Sequence, residues 1–299
     1  INKAGGWSAV ADNARSLNGY LSLNHTYNTA TGETGSYGFI TIISTAAWGL
    51  GYFGMPHILV RFLSIEKPSM VKKSATVAIV WVVLSLGAAC YMAYLARMVM
   101  AEELLTVGAQ KTVFIAMARR FFPPIISGFL LAAIMAASVS TADSQLLVAS
   151  SSFTADMYKP LIRKEASDKE VLWVGRIVVM IIAVIAFFIA SLKGSGAQAI
   201  MNMVENAWGA FGAAFGPTVL LSLFWRRFNY KGAIAGVVTG AIVDILWLIF
   251  LSGTTGIYEI IPGFICGGLA AILVAKATDA PSKEVTDIYD RAVAEDFDI

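Results

Sequence analysis

Seven stretches of mostly apolar residues, each about as long as a bilayer is thick, dominate the chain. They fall roughly at 38–60, 74–100, 126–154, 171–192, 200–225, 232–252 and 258–275. A helix needs about twenty such residues to cross the hydrocarbon core. Composition agrees, since 57% of the 299 residues are hydrophobic and only 14% are charged. A soluble domain carries about 25% charged residues, and a chain this poor in charge cannot clothe a water-facing surface. The expected class is an all-α integral membrane protein with about seven transmembrane helices spanning 38–278. Residues 1–37, rich in Gly, Ser, Asn and Thr, read as an external loop, and 279–299 read as a charged cytoplasmic tail. The opening Ile1-Asn2-Lys3-Ala4 has neither an initiator Met nor a signal peptide, so the chain is expected to start inside a longer protein.

The cationic residues set an expected orientation, because cytoplasmic loops carry the excess of Lys and Arg. One side holds Arg61, Lys67, Lys72 and Lys73, then Lys159, Arg163, Lys164, Lys169 and Arg176, then Arg226, Arg227 and Lys231, with Lys276, Lys283 and Arg291 after the last span. The other side holds only Lys3, Arg15, Arg97, Lys111, Arg119, Arg120 and Lys193. This bias puts the N-terminal loop outside and the tail in the cytoplasm. A net charge of +2, scattered along the chain, gives no footprint for nucleic acid. Cys90 and Cys266 both lie in apolar runs and read as small buried hydrophobes rather than a disulfide. Asn24-His25-Thr26 matches a glycosylation acceptor, a weak signal on its own. No phosphate-binding loop, zinc spacing or nucleophile elbow is present, so the chain carries no motif for ATP-driven or covalent chemistry.

Three spans carry residues that a purely structural span does not need. The first reads Trp48-Gly49-Leu50-Gly51-Tyr52-Phe53-Gly54-Met55-Pro56-His57, with three glycines and a proline in close succession. Gly favours other backbone angles and Pro removes a donor. Broken helices of this kind bind solutes with open backbone groups in secondary transporters. Trp48, Tyr52 and Pro56 are four apart and would share a face if the helix continued; a kinked helix is the plainer alternative. The third span carries Ala137-Ser138-Val139-Ser140-Thr141-Ala142-Asp143-Ser144-Gln145, with 137, 140, 141 and 144 on one face. The hydroxyls of Ser140 and Thr141 and the Ala137 carbonyl offer hard neutral oxygens that suit a small alkali cation. Alternatively these hydroxyls bond back to their own helix. Asp143 is an acid within an apolar span, which is costly unless solvated, paired or functional, and it is a candidate for ion coupling with Ser144. In the fifth span, Glu205 and Asn206 either border a solute path or lie at an interface, and Gly209, Gly212 and Gly216 read as tight helix packing. Asp244 in the sixth span has no evident partner; a Lys or Arg from outside the chain could supply one.

The stretches Trp48 to Phe62, Ser140 to Ser152 and Ala207 to Pro217 resemble the signature stretches of the sodium:solute symporter family. The likeness continues through Trp173 to Arg176 and Tyr258 to Phe264, and is strongest to proline-transporting members. The resemblance implies a LeuT-type fold of two inverted repeats, of which this chain holds the second repeat and peripheral helices but not the N-terminal ones. It makes Trp48, Tyr52 and Pro56 solute-site positions; Met55, next to Pro56, and Asn206 of the fifth span join them as solute-site candidates on the residues' own placement. It makes Ala137, Ser140 and Thr141 sodium ligands. Two departures stand out: Met55 occupies a position where proline transporters carry a polar amide, and Asp143 replaces a hydroxyl residue.

The function this implies is sodium-coupled symport of a small solute, L-proline first, by alternating access, in the plasma (inner) membrane. Sodium is the only cofactor implied, and lipid and the solute are the only partners; no obligate protein partner is evident, and no enzymatic step is required. Another solute (pantothenate, a sugar or a carboxylate) fits the same fold. A seven-span receptor or a solute sensor is the rival from a different class, and the dense Gly-Pro breaks count against it.

Overall fold

The computed structural model describes residues 5–16, 19–22, 24–28, 31, 33–67, 69–100, 103, 109–192 and 197–294. The opening Ile1-Asn2-Lys3-Ala4 and Lys193 lie outside these. The chain divides into two compact units, Ile1–Gly6 with Cys90–Met201, and Trp7–Ala89 with Asn202–Ile299.

The polar N-terminal stretch contains more order than a loop. A ten-residue helix α1 (Gly6–Arg15) precedes a two-stranded antiparallel hairpin, β1 (His25–Tyr27) and β2 (Thr34–Ser36), in which Thr26 faces Gly35. Strands of three residues are too short to show an alternating pattern, which is why the sequence conceals them.

The first apolar stretch is not one helix. It forms α2 (Phe39–Ala46), α3 (Trp48–Gly51) and, after a turn, α4 (Pro56–Leu63). Pro56 stands at the first position of α4, where its missing N–H has no partner to lose. Next comes α5 (Met70–Val99), which runs from one unit into the other.

In the first unit, α6 (Val113–Phe121) leads to α7 (Pro124–Ser152), opened by the Pro123-Pro124 pair. The axis of α7 continues through Phe153–Ile162, wound more widely with five-residue hydrogen-bond spacing. Helix α8 (Asp168–Leu192) returns against it. Ser150 donates its hydroxyl to the Gly175 carbonyl at 2.8 Å, so here the serine bridges two helices. At the far end Tyr158 donates to Glu170 at 2.7 Å, and Arg163 pairs with the same carboxylate at 2.9 Å.

The second unit is built on α9 (Ala197–Phe224), α10 (Tyr230–Phe250), the short α11 (Ser252–Thr255), α12 (Ile260–Ala277) and an amphipathic α13 (Lys283–Ala294). Helices α10 and α12 meet along a seam of small residues. Buried Gly232, Gly236 and Gly240 on α10 face Gly263, Gly267, Ala271 and Ala275 on α12. A β-carbon at Gly240 would stand 2.2 Å from the Ala213 carbonyl of α9, so three backbones converge at that point. Asn229 caps α10 by accepting from the Gly232 N–H at 2.9 Å. Its amide also donates to the Asp279 carbonyl at 2.7 Å, tying the start of α10 to the end of α12.

Six of these helices are long and apolar enough to cross a membrane: α5, α7 with its continuation, and α8, α9, α10 and α12. The seventh apolar stretch is the broken one. The chain is therefore an all-α, multi-pass integral membrane protein. Its spans turn large apolar side chains outward, among them Trp81, Phe129, Phe187 and Ile249, as a lipid-facing surface requires.

Candidate functional site

The break in the first apolar stretch leaves backbone oxygens without a backbone donor among the described residues. The turn after α3 is held by Phe53 and Gly54 N–H groups, which reach back three residues to Leu50 (3.3 Å) and Gly51 (3.0 Å). Pro56 has no N–H to give to Tyr52, four residues before it. Met55 is extended (φ −78°, ψ 114°), and its own carbonyl takes the Ile58 and Leu59 N–H groups. No backbone donor among the described residues reaches the carbonyls of Tyr52, Phe53 and Gly54. In hydrocarbon such oxygens are tolerated only beside protein or a water-lined cavity.

Because the helix stops, Trp48, Tyr52 and Pro56 do not share one helical face. Trp48 and Tyr52 converge instead on Trp208 of α9. The Trp48 and Trp208 rings stack with centroids 5.4 Å apart and planes 17° apart, and Tyr52 meets Trp208 edge-on at 4.8 Å. Trp208 donates its indole N–H to the Trp48 carbonyl at 2.8 Å. Tyr258, just before α12, also stacks with Trp48, at 6.3 Å, and donates its hydroxyl to the Glu205 carbonyl at 2.8 Å. Tyr52 remains half-exposed, Met55 is buried and Pro56 is half-buried. Asn206 is exposed and makes no hydrogen bond to this cluster. The cluster is possible only because glycine lines it. A β-carbon at Gly51 would lie 1.9 Å from Trp208 Nε1, and one at Gly212 would lie 2.7 Å from Gly51 Cα. Gly209, Gly212 and Gly216 are packing positions, as their spacing implies.

Trp208 and Tyr258 were not among the solute-site candidates, although both lie in stretches that carry the family likeness. Their role depends on pairing with Trp48, which is 160 residues before Trp208. No local pattern reports that distance.

The hydroxyl set lies on α7, in the other unit. Thr141 donates to the Ala137 carbonyl at 3.2 Å, bringing two of the three candidate ligands together within one turn. Ser144 donates to the Ser140 carbonyl at 3.0 Å in the same back-bonding manner. The Ser140 hydroxyl has no hydrogen-bond partner among the described residues and is exposed, like Ala137 and Thr141. Donation occupies the hydrogen of Thr141 but leaves its oxygen lone pairs available. Three oxygens on one helix turn fall short of a full cation shell. Asp143 is exposed, and no ion pair is made to it among the described residues.

A second polar centre lies beside the aromatic cluster. Asp244 of α10 and Glu259, immediately before α12, are buried next to Gly209. A cleft of about 550 Å³ reaches Glu259, lined by Thr41, Ser44, Trp48, Glu205, Ser252 and Glu259 among others. Ser44 ties its wall together, donating to the Gly256 carbonyl and accepting from the Tyr258 N–H, both at 3.2 Å.

Comparison with known proteins sets these features in context. The model of the sodium:solute symporter family matches residues 1–240. The sodium/proline symporter 2 of Staphylococcus saprophyticus is 44% identical over 260 residues, covering 84% of this chain and 50% of the relative. The high-affinity proline transporter PutP of Bacillus subtilis is 42% identical over 249 residues, covering 83% and 52%. The Escherichia coli sodium/proline symporter is 41% identical over 248 residues, covering 82% and 48%. The chain spans about half the length of the curated relatives it matches.

Proposed function

The chain belongs to the sodium:solute symporter family, and from that premise we propose that it serves sodium-coupled symport of L-proline by alternating access. The observation that carries the reading is the broken first span. It combines three carbonyls at 52–54, without a backbone donor among the described residues, with an aromatic wall of Trp48, Tyr52, Trp208 and Tyr258. Proline is small and amphipathic. Its ammonium can donate to open carbonyls, and its ring can lie against aromatic faces. Met55, Pro56 and Asn206 are assigned to the same neighbourhood as bordering residues. That relatives at 41–44% identity are named for proline supports this solute over a sugar or carboxylate.

Sodium is assigned to the Ala137 carbonyl and the Ser140 and Thr141 hydroxyls on α7, with Asp143 and Ser144 as modulators of ion coupling. Hard, neutral oxygens match a weakly polarising alkali cation. Binding the cation stabilises the conformation that presents the solute site. Solute binding then permits the change to the inward-facing state. Each sodium entering releases about 2.3 kcal/mol per 100 mV of membrane potential, enough to concentrate a solute many-fold. The reading places the protein in the plasma membrane with residues 1–37 outside and 279–299 in the cytoplasm.

The test is proline uptake by the full-length protein in proteoliposomes, under an inward sodium gradient and with choline as control. Uptake that needs sodium is expected. Ser140→Ala and Thr141→Ala should each raise the sodium concentration for half-maximal uptake by about tenfold, the scale of one lost charge-assisted contact. Uptake indifferent to sodium would overturn the coupling. Sodium-driven uptake of another solute, with none of proline, would move the substrate and keep the mechanism.

A further inference from the structure

Asp244 and Glu259 are the most deeply buried charged residues described, 1% and 3% exposed. Neither carboxylate oxygen of Asp244, nor Oε1 of Glu259, has a hydrogen-bond partner among the described residues. Both side chains aim at one place. The position that a β-carbon on Gly209 would take lies 3.3 Å from Asp244 Oδ1 and 3.4 Å from Glu259 Oε1. Glu259 Oε2 stands 3.5 Å from the Ser252 hydroxyl, and both of these residues line the cleft described above. No Lys, Arg or His forms an ion pair with either acid among the described residues. The charged and titratable neighbours are Glu205 of α9, which also lines the cleft, and the hydroxyl of Tyr258. Two buried carboxylates without a counter-charge are strongly unfavourable. A cation between them, or a shared proton, would relieve that cost.

We propose that Asp244 and Glu259 bind a second alkali cation of sodium size, with the Ser252 hydroxyl as a neutral ligand. The donors are all hard oxygens, which excludes a transition ion that would seek imidazole or thiolate. They are also few. Calcium takes six to eight oxygens and magnesium a strict octahedron; among the described residues no group of three or more His, Cys, Asp or Glu is placed to hold a metal ion, so the two acids and Ser252 form a partial shell that water from the cleft would complete. The site is distinct from the α7 hydroxyls and stands on the geometry of its own unit, so the symport reading survives its failure.

Trp208 adjoins Gly209 and makes the site observable. Purified full-length protein in detergent is titrated with sodium chloride replacing choline chloride at fixed pH and ionic strength, while tryptophan fluorescence is recorded. The wild type should give a saturable change that persists in the Ser140→Ala/Thr141→Ala double variant. Asp244→Asn or Glu259→Gln should raise its midpoint at least tenfold. An unchanged midpoint in both acid variants overturns the proposal. So does a response to pH or to calcium chloride with none to sodium, which would mean a shared proton or a divalent ion. Should the acid variants fail to fold, equilibrium binding of radioactive sodium to the Ser140→Ala/Thr141→Ala protein decides. Saturable residual binding supports the second site, and its absence refutes it.

Discussion

Trp208 shows how much one side chain organises. It stacks on Trp48, receives the edge of Tyr52 and holds the Trp48 carbonyl with its indole N–H. Trp208→Phe keeps an aromatic ring and removes the donor. The expected loss is about 1 kcal/mol, the net worth of one hydrogen bond, read as a lower unfolding midpoint with unchanged helical content. An unaltered midpoint would mean that water replaces the indole at no cost. Gly51 is less forgiving, because its missing β-carbon is the space the indole occupies. Gly51→Ala should cost about 1–3 kcal/mol through overpacking and lower the yield of folded protein, and Trp208→Phe in the same chain should recover part of it. At this scale the sequence was half legible. Trp48 and Tyr52 could be named because they sit inside a visible break. Trp208 and Glu259 could not, since their significance lies in partners from distant segments and in burial.

Among the elements, the break between α3 and α4 was the most legible, because three glycines and a proline within nine residues leave a helix few ways to continue. The α9, α10 and α12 spans were equally plain, being long, apolar and bounded by polar residues. Two things were hidden. Phe153–Ile162 continues α7 past the expected end near 154, wound with five-residue hydrogen-bond spacing that no apolar periodicity announces. The N-terminal helix and hairpin were concealed by their brevity. The break carries its own prediction. Pro56→Ala returns an N–H that can pair with the Tyr52 carbonyl and extend the helix backward. Half-maximal proline uptake should then need about tenfold more solute, as expected for an open carbonyl lost to a charged ligand. Unchanged uptake kinetics would show that the open carbonyls take no part in binding.

For the whole molecule, the outlying α13 is fastened by a bidentate pair, Arg226 donating to both oxygens of Asp290 at 2.6 Å. The guanidinium beside Asp290 holds its carboxyl below the usual carboxylate range. A depressed acid stabilises the docked state fully above the ordinary carboxylate value near 3.9 and loses that contribution as pH falls through the lower folded value. Docking should therefore be indifferent to pH between neutrality and mild acid. Asp290→Asn should loosen α13 at neutral pH, seen as faster proteolysis within 279–294, and high salt should act in the same direction on the exposed pair. Cleavage that is equally slow in the variant would show that α13 is held by its apolar face alone. The seam between α10 and α12 has a consequence of another kind. Its contacts are made by what the residues lack, so truncation finds nothing to remove, and even the single methyl of Gly→Ala at 232, 236 or 240 meets a neighbouring backbone or side chain. Only enlargement reveals it. A library carrying every amino acid along α10 should read like a bar code, with intolerant lines at 232, 236 and 240 separated by permissive, lipid-facing ground.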